Sequence, residues 1–185
     1  MTEGLPLPPP ARIAPDTALG RYLERTRGYG YARFVLEMSG LALLLRLPAV
    51  AVSVRLGIAD DATTALDLLE LYSPAALIAL ALIGAPIIET VLFQWFPIAV
   101  ARRIGASAAV AALASAVLFA LLHFQSGWAA VIVHVPTGLV LAWSYLVWRH
   151  RTLGGALLAT ASVHFLLNLL GVAAALASLV DAGAA

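Results

Sequence analysis

The chain has 185 residues, of which 62% are hydrophobic and 11% charged, whereas roughly a quarter of the residues in a soluble domain are charged. A single water-soluble core cannot bury that much apolar surface, so lipid must solvate much of the chain. The net charge of +1 gives no basic field for binding nucleic acid. The absence of cysteine excludes disulfides, thiol catalysis and cysteine-ligated metals.

Apolar segments of membrane-spanning length follow one another along most of the chain. The first 32 residues are polar and contain several prolines and arginines, and we predict a cytoplasmic N-terminal tail there and a transmembrane domain over residues 33–185. A helix needs about 20 mainly apolar residues to cross a bilayer. We therefore predict an all-α fold, a polytopic transmembrane helix bundle of about five spans. The predicted spans cover residues 34–58, 74–100, 106–124, 128–148 and 153–180.

The arginines indicate how the predicted bundle is oriented. The N-terminal tail and the loops at residues 102–103 and 149–151 are basic, whereas residues 60–70 and Asp181 are acidic. The positive-inside rule then places the N-terminus in the cytoplasm and the C-terminus outside. We expect an integral protein of a bacterial plasma membrane, with membrane lipid as a partner.

Polar residues are sparse in the predicted spans, and ionisable groups at membrane depth are costly and usually functional. Between residues 71 and 179 the only acidic residue is Glu89, near the middle of the second span. The same stretch holds all four histidines, of which His123, His134 and His164 lie within predicted helices, and the only asparagine of the chain, Asn168. These residues are the candidates for a functional site.

Two prolines flank Glu89 on the second predicted helix. Each removes a backbone hydrogen bond, so Pro86 is expected to free the carbonyl of Leu82 and Pro97 that of Phe93. Freed carbonyls at membrane depth are typical of a helix that lines a hydrated cavity.

The remaining candidates form two pairs with helical spacing. His164 and Asn168 are four residues apart, as are Phe119 and His123, so each pair shares one helix face. His123 is predicted at the far end of its helix, and we expect a tilt or an inward dip of residues 124–127 to bring it towards Glu89.

Three segments, in this order, resemble the motifs of the CPBP family (CAAX proteases and bacteriocin-processing enzymes, also called the Abi family). The segment ETVLFQ at residues 89–94 resembles EExxxR, FALLH at 119–123 matches FxxxH, and HFLLN at 164–168 matches HxxxN. The resemblance covers roughly residues 74–170, and it implies a helical membrane endopeptidase that acts on a peptide or membrane-protein substrate.

The first motif departs from the family pattern at two positions. Thr90 stands where the family has its second glutamate, and Gln94 stands where it has arginine. The two positions are four residues apart, the spacing of an ion pair within a helix, and replacing both leaves no orphaned buried charge. We interpret Thr90 and Gln94 as a neutral replacement for a supporting pair, able to hydrogen-bond.

The resemblance also implies roles for the candidate residues. Peptide hydrolysis needs an activated water, donors to the developing oxyanion and a proton for the leaving amine. Glu89 would activate the water with help from His123, while His164 and Asn168 would bind the oxyanion, and no cofactor is required. Alternatively, Glu89, His123 and His164 would be ligands of a zinc ion with water in the fourth position.

Other interpretations remain open at this point. His134 lies outside the three motifs, so we expect a structural or supporting role for it, and Phe119 is expected to pack beside the site. The polar residues would also suit simple contacts between helices, a non-catalytic scaffold or bacteriocin-immunity-type protein of the same fold, or a small transporter. A transporter predicts internal repeats, and the sequence shows none.

Overall fold

The computed structural model describes residues 17–58 and 73–183 of the chain. Within these ranges, a short helix is followed by five helices that are each long and apolar enough to cross a membrane, which confirms the predicted helical bundle. The predicted acidic stretch at 60–70 lies outside the described residues. The helices are α1 (Ala18–Thr26), α2 (Tyr31–Arg55), α3 (Pro74–Arg103), α4 (Ala108–Leu122), α5 (Trp128–Trp148) and α6 (Leu153–Gly183).

Some of the helices begin at a residue whose side chain accepts from a free N–H group of the first turn. Ser73 precedes Pro74 at the start of α3, and its Oγ accepts from the N–H of Ala76 at 3.3 Å, as the Ser-Pro pair indicates. Thr17 caps α1 in the same manner. The sequence analysis predicted no helix in this segment, and α1 lies within the stretch expected to form the N-terminal tail.

Helix α3 alternates between α-helical and π-helical turns, with π segments at Leu80–Gly84 and Thr90–Trp95. Its buried stripe recurs at every fourth residue. In an α-helix with 3.6 residues per turn, residues four apart drift gradually around the helix. The π turns contain more residues per turn, so they cancel this drift. One face of α3 therefore stays towards the bundle over three turns. The buried residues of this stripe are Pro86, Thr90, Gln94 and Ile98.

Helix α5 is the most buried of the spans and packs against α2, α4 and α6. Gly138 lets α4 approach closely, since a Cβ atom there would lie 2.9 Å from Ala116 Cα and 3.0 Å from the ring of Phe119. Small residues at helix interfaces permit this close approach in membranes. The packing places Phe119 of α4 directly against α5.

A group of arginine and aromatic side chains lies where α1 meets α2 and where α5 meets α6. Arg151 donates from Nη2 to the backbone oxygens of Arg27 at 2.7 Å and Tyr29 at 3.0 Å. Its guanidinium also stacks 4.2 Å from the ring centroid of Trp148, and that of Arg33 stacks 4.0 Å from Tyr29. We call these five residues the basic corner. The contacts of Arg151 therefore place the basic segment before α2 and the basic segment after α5 at the same end of the bundle.

Candidate active site

Glu89 and His164 meet across the interface of α3 and α6. The Glu89 Oε2 and His164 Nε2 atoms are 3.8 Å apart, and the side chains are 16% and 4% exposed. This distance is too long for a direct hydrogen bond but is short for an electrostatic contact in a bundle interior. The structure therefore brings the first and third motifs together.

The ring of Phe119 lies among three imidazoles. Its centroid is 5.0 Å from that of His123, 6.1 Å from His134 and 5.5 Å from His164. These residues come from α5, α6 and the turn that follows α4, so the second motif joins the same region. We call Glu89, His123, His134 and His164, with Phe119 between the imidazoles, the polar layer.

His123 lies in the turn that follows α4, a helix of 15 residues. Together with this turn the third span covers the 19 residues Ala108–Ser126. A 3₁₀ turn over His123–Ser126 follows at once, and α5 begins at Trp128. The stacking of His123 on His134 brings this turn against α5, and the inward dip expected for residues 124–127 stays a prediction.

The side chain of His123 makes one hydrogen bond to its own helix. Its Nδ1 lies 2.9 Å from the backbone oxygen of Phe119, one turn earlier. A carbonyl oxygen only accepts, so Nδ1 carries the proton and donates, and Nε2 of the neutral ring is an acceptor. The Nε2 atom of His123 can therefore receive a proton.

Asn168 binds the backbone of α3 through its amide. Its Nδ2 donates to the carbonyl oxygen of Ala81 at 2.8 Å. In the adjoining π turn the N–H of Ala85 donates to Leu80, five residues back. The next donor in that register would belong to Pro86, which has no N–H. Asn168 therefore satisfies a carbonyl that the proline leaves free, and it fixes α6 against α3.

Side chains of neighbouring helices bind a carbonyl before each of the two prolines. The carbonyl of Phe93, expected to be freed by Pro97, accepts from the Ser115 hydroxyl at 2.5 Å. Before Pro86, the carbonyl that a side chain binds is that of Ala81, next to the predicted Leu82. Both observed bonds tie α3 to a neighbouring helix by a side chain.

Thr90 and Gln94 are almost completely buried, with 1% and 0% of their surfaces exposed. Neither makes a side-chain hydrogen bond to the described part of the chain, although the sequence analysis expected them able to do so. An unsatisfied buried polar group costs about 1–3 kcal/mol, and these donors and acceptors are available to water or a substrate. Further buried polar atoms without such a partner are Glu89 Oε2, His164 Nδ1, Thr137 Oγ1 and Thr160 Oγ1.

The three residues considered as zinc ligands do not form a tight cluster. Within residues 17–58 and 73–183, no group of three or more His, Asp or Glu side chains is arranged to hold a metal ion. Glu89 and His164 are close, whereas the ring of His123 is stacked on that of His134. A zinc site would require the His123 ring to reorient.

The comparison with protein families agrees with the three motifs. The family model described as type II CAAX prenyl endopeptidase Rce1-like matches residues 71–170, a stretch that contains every residue of the polar layer and Asn168. No curated protein and no solved structure matches the chain. Because the family model matches more than half of the 185 residues, the chain belongs to the Rce1-like family of type II CAAX prenyl endopeptidases.

Proposed function

We propose that this protein is an intramembrane endopeptidase that hydrolyses a peptide bond of a membrane-associated substrate with a water activated by Glu89. The observation that carries the proposal is the approach of Glu89 to His164 at 3.8 Å in a chain of an endopeptidase family. Glu89 is also the only acidic residue between positions 71 and 179, so no other carboxylate of these spans is available as the base.

The proposed reaction begins with proton transfer from water to the Glu89 carboxylate, assisted by the acceptor Nε2 of His123. The water oxygen attacks the peptide carbonyl carbon, and the oxyanion of the tetrahedral intermediate accepts hydrogen bonds from His164 and from the second N–H of the Asn168 amide. Glu89 then returns the proton to the leaving nitrogen as the C–N bond breaks. The products are a carboxylic acid and an amine.

A zinc-dependent form of the same hydrolysis is the alternative mechanism. Glu89, His164 and a reoriented His123 would hold the ion, which would lower the pKa of a bound water. Metal analysis of the purified protein separates the two mechanisms, together with processing assays after dialysis against a chelator. Loss of processing on dialysis and recovery with zinc would favour the metal site, whereas undiminished processing favours Glu89 as the base.

The proposal is tested by replacing Glu89 with glutamine, which keeps the shape of the side chain but removes the base. We expect Glu89→Gln to lower processing by about a hundredfold or more, as for loss of a general base, with little change in thermal unfolding. Mass spectrometry of peptide termini from membranes of cells with the wild-type or variant protein measures this.

Glu37→Gln is the matched control for this experiment. Glu37 also lies on a spanning helix, but it binds Tyr29 and Arg33 of the basic corner. Its replacement should therefore leave processing unchanged. Identical peptide termini in wild-type and Glu89→Gln membranes would reject the endopeptidase, and the non-catalytic scaffold would then be preferred.

We further propose that the basic corner faces the cytoplasm, in accordance with the positive-inside rule. The chain contains no cysteine, so single cysteines report topology without background. Ile104→Cys, at the 80% exposed position after α3, should react with an impermeant maleimide only in permeabilised cells. Ser126→Cys, in the turn at the other end of α4, should react in intact cells, and the reverse pattern would invert the proposed orientation.

A further inference from the structure

The imidazoles of His123 and His134 are stacked on each other. Their centroids are 3.8 Å apart and their planes are inclined by 11°, which is a closer and flatter contact than any that Phe119 makes with the three imidazoles. His134 lies on α5 and belongs to none of the three motifs. A nearly parallel ring at this distance restricts rotation of the His123 side chain.

The His134 ring is itself held in place by its own helix. Its Nδ1 lies 2.7 Å from the backbone oxygen of Ala130, so it donates as His123 does to Phe119. Arg46 of α2 and His164 of α6 are close enough to act on His134 electrostatically, and so is His123. No carboxylate among the described residues forms an ion pair with His134, and the ring of His123 lies closer to it than the ring of Phe119 does.

We propose that His134 is a positioning residue for His123: its fixed imidazole keeps the His123 ring in the orientation that leaves Nε2 facing the reacting water. This inference rests on the proposed function. The turn that follows α4 supplies only one hydrogen bond to the His123 ring, so without the stack the ring is free to leave the Phe119 carbonyl. Stacked aromatic pairs contribute enough free energy to change a rate several-fold to tenfold.

The kinetic test compares His134→Ala with His134→Phe. Alanine removes the stack, and we expect kcat to fall roughly tenfold while KM stays near the wild-type value. Phenylalanine restores a flat ring without nitrogen atoms, and most of the lost kcat should return. His150→Ala is the matched control, since His150 is exposed and its ring bonds the backbone of Val147 outside the layer. An unchanged kcat in His134→Ala, or a His134→Phe variant as slow as His134→Ala, would overturn the inference.

A spectroscopic test does not depend on activity. The chain has four histidines, so the imidazole ¹⁵N signals of the protein in nanodiscs can be assigned with single substitutions. In the wild type and His134→Phe, His123 should give the signals of one tautomer with the proton on Nδ1. In His134→Ala these signals should move towards the average of two tautomers.

The two tests separate failure of the inference from failure of the proposed function. Unchanged His123 signals in His134→Ala would reject the positioning role even if the protein is a protease. If no peptide is processed by the wild type, the proposed function fails, and the spectrum alone then decides whether His134 orients His123.

Discussion

The polar layer and the basic corner are two polar regions of one apolar bundle, and they satisfy their polar groups to different degrees. In the basic corner, Arg151 uses one nitrogen for two backbone oxygens and its planar face for Trp148. In the polar layer, Glu89 Oε2 and His164 Nδ1 are buried without a hydrogen-bond partner in the described chain. The side chain of Arg151 thus binds protein groups in the corner, whereas these two atoms of the layer keep unused hydrogen-bonding capacity.

The surroundings of the corner add to this contrast. Tyr29 donates to Glu37 at 3.3 Å, and burial together with the same carboxylate raises the pKa of Tyr22 to about 12. Tyr22 is therefore a neutral donor throughout the physiological pH range. Hydrogen bonds and cation–π contacts such as those of the exposed Arg151 and Arg33 add modestly to stability, while buried polar atoms without a protein partner are available to water or substrate. We infer that the corner supports stability and that the layer supports chemistry.

The largest effect on stability is expected from Gly138→Ala, which disturbs the packing of α4 against α5. The added Cβ would lie 2.9 Å from Ala116 Cα and 3.0 Å from Phe119 Cδ1, so α4 and α5 must separate. Overpacking of this kind costs about 1–3 kcal/mol, and displacement of Phe119 should also lower processing more than tenfold. Gly40→Ala is the control, since nothing lies within 4 Å of its added Cβ. Equal unfolding temperatures for the two variants would contradict the close approach of α4 and α5.

A smaller effect on stability is expected from Asn168→Leu. The change removes the donor to the Ala81 carbonyl and leaves that oxygen unsatisfied, at a cost of about 1–2 kcal/mol in the unfolding free energy. Ser115→Ala removes the comparable bond to Phe93 without touching a proposed oxyanion donor. Unfolding in detergent should show a similar loss of unfolding free energy for Asn168→Leu and Ser115→Ala. Only Asn168→Leu should also impair processing. Equal processing by the two variants would remove Asn168 from the proposed chemistry.

The sequence predicted the helices because long apolar runs have few alternatives in a membrane. The fourth span was predicted at residues 128–148, and α5 covers the same residues. The fifth was predicted from 153, where α6 begins. The three motifs also identified residues that the fold brings close together, since Glu89 contacts His164 and Phe119 lies between His123 and His164.

Other features depend on helix register and were outside the reach of sequence reasoning. The carbonyl freed by Pro86 is that of Ala81, because a π turn precedes the proline. The contact of His134 with His123 depends on how α4 ends and how α5 is rotated against it, neither of which a motif records. The signal in the sequence is a histidine one and a half turns into an apolar span, from which we predict a structural or supporting role.

The smallest effect is expected from Arg151→Lys in the basic corner. Lysine keeps the charge, but it lacks the planar group that donates to Arg27 and Tyr29 and stacks on Trp148, so unfolding should become easier by about 1 kcal/mol or less at this partly exposed site. Arg103→Lys, at an exposed position beyond this corner, should have no measurable effect. Processing per folded molecule should stay at the wild-type level for both variants, because neither side chain reaches the polar layer. A fall in that quantity for Arg151→Lys would show that the two regions are coupled, and the division between a stabilising corner and a reactive layer would then be wrong.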